Sequence, residues 1–135
     1  MRIALVVFPA GKHTAGDPLL AASLVRGMES MGHRTDILDR DGLGRLPGYD
    51  YLVFLAEPLS FFSGKIPAAA RDAFSHSGGL GRKKGAAFIK KKGLFSSRAL
   101  SRLMALMEKE GIIVNWSDFV LGQAQAEALG KRIGA

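Results

Sequence analysis

Cysteine is missing from all 135 residues. Its absence excludes a disulfide framework, a thiolate metal site and a thiol nucleophile together, and it suits a reducing compartment. Long hydrophobic runs are missing too: the first apolar stretch, residues 3–8, is bounded by Arg2 and Pro9, whereas a membrane-spanning helix needs about 20 apolar residues. Neither a signal peptide nor a membrane anchor is readable there, so a cytoplasmic location away from the membrane is expected. Acidic residues are scarce, 12 against 19 Lys and Arg, for a net charge of +7. Such a field attracts anionic partners and repels basic ones. A nucleic-acid-binding module is a third reading that rests on this charge alone, because no recognition motif and no basic surface interleaved with aromatic residues accompanies it.

What is present is ordinary for one globular domain, and we expect residues 1–135 to form one. Apolar residues make up 47% and charged residues 23%, enough for a single core without staples. Five short apolar runs rich in branched or aromatic residues read as strands: 3–8, 35–38, 51–56, 86–89 and 112–114. The first and third show no polar alternation, as strands covered on both faces require, while the second is weaker and suits a sheet edge.

Helical patterns lie between them. Asp17 and Pro18 form a start signal followed by Leu20, Leu24, Met28 and Met31 on one face, with Gly32 as the stop. Pro67 opens a second pattern with Ala70 and Phe74 inward, ended by Ser77, Gly78 and Gly79. A third starts near Ser96 or Ser97, carries Leu100, Leu103, Met104 and Met107, and stops at Gly111. The last, about 123–133, buries Ala126, Leu129 and Ile133. The stretch 39–50, with three Gly, one Pro and no apolar period, predicts a long loop or a single turn. Strands alternating with helices demand a parallel sheet with right-handed crossovers, and its ligand site belongs beyond the carboxyl ends of the strands.

Strand-end loops separate the doubly wound folds from one another. Residues 9–14 lack the G-x-G-x-x-G fingerprint of dinucleotide sites, and Val6 stands where a Walker loop ending in Gly11-Lys12 needs glycine. Phe8-Pro9 and Ala56-Glu57 do not supply the acidic cluster and phosphorylatable Asp of a receiver domain, and no G-x-S-x-G elbow is present.

The stretch Tyr49-Asp50-Tyr51-Leu52-Val53-Phe54-Leu55-Ala56-Glu57-Pro58-Leu59-Ser60-Phe61-Phe62-Ser63-Gly64-Lys65-Ile66-Pro67 resembles the third strand and flavin loop of flavodoxins. Lys84 to Phe88, followed by Gly93 and a helix to Gly111, is similar to their fourth strand and helix, and 128–133 to their last helix. The resemblance implies a doubly wound three-layer α/β sandwich of the flavodoxin-like type, with a five-stranded parallel sheet in the order 2-1-3-4-5. It also implies a site for flavin mononucleotide (FMN) and a role in electron transfer. The sequence departs from the family at the phosphate loop: in place of a hydroxyl-rich T/S-x-T-G-x-T run it has residues 9–17, where Thr14 alone offers a hydroxyl. Asp17 competes there for the helix N-terminus that would hold a phosphate. The basic charge is a second departure.

The candidate site follows from the resemblance. Lys12, His13, Thr14 and Gly16 are expected near the phosphate. Glu57, Pro58, Leu59, Ser60, Phe61, Phe62 and Gly64, with Lys90, Lys91, Lys92, Gly93 and Phe95, are expected to form the ring slot. Phe61 and Phe62 either stack on a ring, since flat π-faces exclude water, or one of them packs under the loop. Phe95 has the same two readings. Glu57 is either a solvated loop charge or an acceptor for a ring N–H, and His13 either an exposed imidazole or a phosphate contact. His33 and His76 are expected at the opposite end of the sheet, so no metal cluster is expected.

Arg82, Lys83, Lys84, Lys90, Lys91 and Lys92 bracket the fourth strand, six cations in eleven residues. Such a run is either a solvated face or an attraction for a phosphate, an acidic redox partner or nucleic acid. Trp116 is expected after the last strand, packed over the edge or lining the site. No residue is proposed as a covalent or acid-base catalyst: the chain reads as a flavin-dependent electron carrier rather than an enzyme with its own catalytic groups. The alternative reading is a flavodoxin-fold domain that has lost flavin and serves as a binding or assembly module. Oligomeric state is not legible.

Overall fold

The computed structural model describes residues 1–9, 18–38, 40–58, 70, 80–91 and 96–133. Strand β1 (Arg2–Phe8) leads to helix α1 (Pro18–Ser30), and β2 (Arg34–Leu38) to a 3-10 helix (Arg40–Gly48) and β3 (Tyr51–Ala56). Then come β4 (Lys84–Lys90), α2 (Ser96–Lys109), β5 (Ile113–Val120) and α3 (Gln123–Arg132). All four strand pairings are parallel, and the sheet order is β2-β1-β3-β4-β5. The helix predicted to start at Pro67 lies outside the described residues, apart from Ala70, which is helical and fully buried.

The unalternating runs became the central strands for the expected reason. Every residue of β3 is buried, as are Ile3 to Val6 of β1. Side chains of a strand point alternately to its two faces, so the same strands supply two cores. Ala4, Val6, Phe8, Leu52, Phe54, Ala87 and Ile89 pack on the side of α2, against Ala99, Leu103 and Met107. Ile3, Leu5, Tyr51, Val53, Ala86 and Phe88 pack on the other, against Leu20, Leu24 and Met28 of α1 and Ala126 and Leu129 of α3. Each large apolar side chain so buried contributes about 1.5–3 kcal/mol relative to exposure.

Of the three predicted glycine stops, the one at Gly78 and Gly79 lies outside the described residues, and the other two hold in the same way. Gly32 and Gly111 have φ of +87° and +84°, a left-handed conformation that glycine adopts without a Cβ clash. After each, the next N–H reaches back to the helix: His33 to the Met28 carbonyl at 3.3 Å and Ile112 to the Met107 carbonyl at 3.1 Å. Met31 was expected on the buried face of α1 but is 51% exposed. The helix ends at Ser30, and Met31 no longer follows its period.

Two further expectations need correction. The stretch between β2 and β3 is a nine-residue 3-10 helix, not a loop or a single turn. With three residues per turn, side chains at i and i+3 eclipse. Gly48 follows Arg45 by one turn and Gly44 precedes Pro47 by one turn, so glycine relieves two of the three rows. The remaining row brings Leu46 into the core at 1% exposure.

The last strand is also longer than 112–114 and contains Trp116 rather than preceding it. Asn115 has no partner in β4: Gly85 pairs with Val114 and Ala86 with Trp116. The polar-apolar alternation runs through this bulge as far as Ser117 and breaks at Asp118 and Phe119. Trp116 packs against the α1–α3 core, with the Arg132 guanidinium carbon 4.2 Å from its ring centroid. Along the outer edge of β5, Gln125 donates to the Phe119 carbonyl at 2.8 Å and accepts from the Leu121 N–H at 2.6 Å. The Asp118 carboxylate accepts from the Phe119 N–H at 2.8 Å. These side chains occupy backbone groups that an open edge would offer to another strand.

Helices α1 and α3 meet backbone to backbone. A Cβ on Gly27 would lie 2.1 Å from the Glu127 carbonyl oxygen, and one on Gly130 would lie 2.3 Å from that of Leu24. In an open helix Gly→Ala stabilises by about 1 kcal/mol. At Gly27 and Gly130 the sign reverses: either substitution by Ala should cost about 1–3 kcal/mol through overpacking, read as a lower urea midpoint. A raised midpoint in either variant would show that the helices do not touch here.

Tyr51 is 5% exposed and donates its hydroxyl proton to Asn115 Oδ1. Burial pushes its pKa from 10.0 up to about 12. Below pH 10 folded and unfolded chains both hold this proton, so its contribution is intact. As pH rises from 10 to about 12 the unfolded chain releases it first, and stability falls. Chemical denaturation across this window should therefore show a smaller loss in Tyr51→Phe than in the parent. Equal losses in the two proteins would contradict the raised pKa.

Candidate functional site

In a parallel sheet of this order the connections from β1 and β3 depart in opposite directions, leaving a crevice at their carboxyl ends. The Glu57 N–H donates to the Phe8 carbonyl at 3.0 Å, extending the β1–β3 ladder to the floor of that crevice. Pro58 is buried just beyond it, and Pro9 is half-buried on the β1 side. Underneath, the Phe8 and Phe54 rings lie nearly parallel, 8° apart in plane with centroids 6.1 Å apart.

On the far side of β3, Ala56 is in register with Ile89, which sets Glu57 level with Lys90. Lys90 Nζ is 3.4 Å from Glu57 Oε2, with the two side chains 36% and 12% exposed. Glu57 is thus a shielded carboxylate facing a cation, not a solvated loop charge. Lys91 is exposed, its N–H donating to the Val120 carbonyl at 3.0 Å. The structure therefore brings together Glu57, Pro58 and Lys90, with Lys91 beside them. Lys12, His13, Thr14, Gly16, Leu59, Ser60, Phe61, Phe62, Gly64, Lys92, Gly93 and Phe95 lie outside the described residues. The chain segments that hold them, 10–17, 59–69 and 92–95, begin two or three residues after the ends of β1, β3 and β4.

The basic run divides. Lys84 and Lys90 are the first and last residues of β4, about 20 Å apart at the rise of a strand. Lys83 is not a solvated cation: its Nζ donates to the Tyr49 carbonyl at 2.7 Å. His33 sits at the amino-terminal end of the sheet as expected, its Nδ1 3.2 Å from the amino group of Met1. Among the described residues no group of three His, Asp or Glu is placed to hold a metal ion, and no helix is long and apolar enough to cross a membrane.

The Glu57–Lys90 pair was missed in the sequence as a pair. The signal was there: an acid just past one strand and a base at the end of the next, once the two strands are known to be neighbours.

Comparison with solved structures places the architecture. Flavodoxin 1 from Bacillus cereus, solved in oxidised form, superposes with a TM-score of 0.70 at 14% identity, covering 96% of this chain and 95% of that one. A flavodoxin from the domain Archaea gives 0.70 at 15%, covering 98% and 96%. A short-chain flavodoxin associated with a non-canonical PDU bacterial microcompartment gives 0.66 at 14%, covering 97% and 95%. No family model matches the sequence, and no curated protein matches it. The chain has a flavodoxin-like fold.

The ion pair yields a direct test. In a double-mutant cycle on denaturant stability, Glu57→Gln and Lys90→Met should show a coupling of about 0.5–1 kcal/mol, limited by the exposure of the lysine. Strict additivity would mean that the two groups do not interact in solution.

Proposed function

We propose that this chain binds FMN at the carboxyl edge of β1, β3 and β4 and carries electrons between partner proteins in the cytoplasm. The observation that carries the reading is the switch point of the sheet order, where the Glu57 N–H joins β1 at Phe8 and a carboxylate and a cation stand 3.4 Å apart. The likeness to flavodoxins over nearly the whole chain supports it.

The chemistry of the described donors fits a flavin. A flavin has ring N–H and carbonyl groups: Glu57 accepts from the former, and Lys90 and Lys91 set positive charge by the latter. Bound flavin supplies reversible electron transfer, and the protein's residues bind and orient it. In this reading Phe61, Phe62 and Phe95 cover the ring and exclude water, Leu59, Ser60, Gly64 and Gly93 shape its slot, and Lys12, His13, Thr14 and Gly16 receive the phosphate. Lys91 and Lys92 favour an acidic redox partner at the same edge.

A second reading, a flavin-free binding or assembly module, is favoured by one observation: residues 9–17 lack the hydroxyl-rich phosphate loop. Titration with FMN followed by fluorescence quenching separates the two. Binding is expected, with Phe61→Ala or Phe62→Ala weakening it by about 0.5–1.5 kcal/mol beyond the lost buried area. Thr14→Ala should weaken FMN but not riboflavin, which lacks the phosphate. No quenching even at the highest soluble FMN concentration would sink the flavin reading in favour of the module.

A further inference from the structure

The opposite edge of the sheet carries more cations than acids. Arg2 and Arg34 begin β1 and β2 as register partners, and Lys84 begins β4, preceded by Arg82 and Lys83. Arg2, Arg34, Arg82 and Lys84 are all exposed. With neighbouring strands about 4.8 Å apart, the row from β2 to β4 is roughly 15 Å wide. The Arg2 guanidinium lies over the Tyr49 ring, 4.9 Å from its centroid, and donates to the Gly48 carbonyl at 3.4 Å. Two nearby carboxylates, outnumbered by the cations, accept from neutral donors. Asp50 accepts from the Arg2 N–H at 2.8 Å, and Asp36 from the Tyr49 hydroxyl at 2.8 Å.

The turn into β4 adds a second, independent sign. The Lys83 N–H closes it on the Leu80 carbonyl at 3.2 Å, and Arg82, its third residue, has φ of +67°. Glycine is favoured at the third position of such a turn, yet Gly81 stands one place too early and an arginine takes the left-handed conformation. The Arg82 N–H is held by the Gly111 carbonyl at 2.9 Å. Strain kept at an exposed cation points to use of that cation.

We propose that this amino-terminal edge, built on Arg2, Arg34, Arg82 and Lys84, docks an acidic segment of a partner protein. Guanidinium groups receive carboxylates through paired, charge-assisted hydrogen bonds. Single-stranded nucleic acid is the poorer match, because it is held by aromatic stacking as well as charge. The tyrosines at this edge, Tyr49 and Tyr51, are only 4% and 5% exposed. The face lies about 20 Å from Glu57 and Lys90, the length of the seven-residue β4. A partner held there leaves the carboxyl edge open, and the proposal does not rest on flavin binding.

The test measures fluorescence anisotropy of a labelled oligoglutamate peptide with the full chain, at low and at physiological salt. Arg34→Gln with Lys84→Gln should weaken binding about tenfold, the sum of two partly screened charge pairs, while Arg102→Gln on the exposed face of α2 should leave it unchanged. Arg82→Gly should raise the melting temperature and weaken peptide binding severalfold, moving stability and affinity in opposite directions. The proposal is overturned if Arg82→Gly binds as the parent does, or if Arg102→Gln loses as much affinity as the edge variant. It is likewise overturned if a labelled oligothymidylate binds more tightly than the peptide at equal salt.

Discussion

Parallel pairing of β1 with β2 on one side and β3 on the other is the constraint on which the rest depends. Parallel strands put every carboxyl end on one edge of the sheet, and each connection must cross back over a face. The faces must then be apolar, which is why β1 and β3 carry apolar residues on both sides. The same constraint gives one sheet two chemically different edges. The carboxyl ends of β1, β3 and β4 lie at one edge, and the strand starts with their cations line the other.

The two faces are closed differently. On the side of α2, Ala99, Leu103 and Met107 form an ordinary helix-on-sheet contact with Phe54 and Ile89. On the other side α1 and α3 also touch each other, and Gly27 and Gly130 let their backbones meet. That contact fixes where α3 lies and so what its first turn reaches. Gln125 ends up clipped to Phe119 and Leu121, and Arg132 lies over Trp116. An edge strand that would otherwise expose backbone donors and acceptors is covered by the helix that follows it.

The distribution of charge is more informative than its sum. Lys83 and Lys90 are both held by the fold, one by the Tyr49 carbonyl and the other by Glu57. At the carboxyl edge positive charge is therefore partly balanced by a shielded acid. At the amino edge Arg34, Arg82 and Lys84 are exposed and outnumber Asp36 and Asp50, which accept hydrogen bonds from neutral donors. A net charge of +7 thus has a direction, set by strand order.

The sequence by itself determined what depends on neighbours along the chain: the buried strands β1 and β3, the helix start at Pro18, and the stops at Gly32 and Gly111. Backbone preference and periodicity act within a few residues and are written locally. It also put forward Glu57 and Lys90 as candidates at the carboxyl edge, since alternating strands and helices place a ligand site beyond the strand ends. Only the tertiary structure decided what depends on residues far apart. The 3-10 helix owes its place to Leu46 entering the core, and β5 its length to a ladder with β4 that continues past the Asn115 bulge. Met31 turns outward because α1 stops against the start of β2. Glu57 meets Lys90, and Gly27 meets Gly130, across 33 and 103 residues of intervening numbering. Such contacts are set by strand order and helix crossing, which no short window of sequence contains.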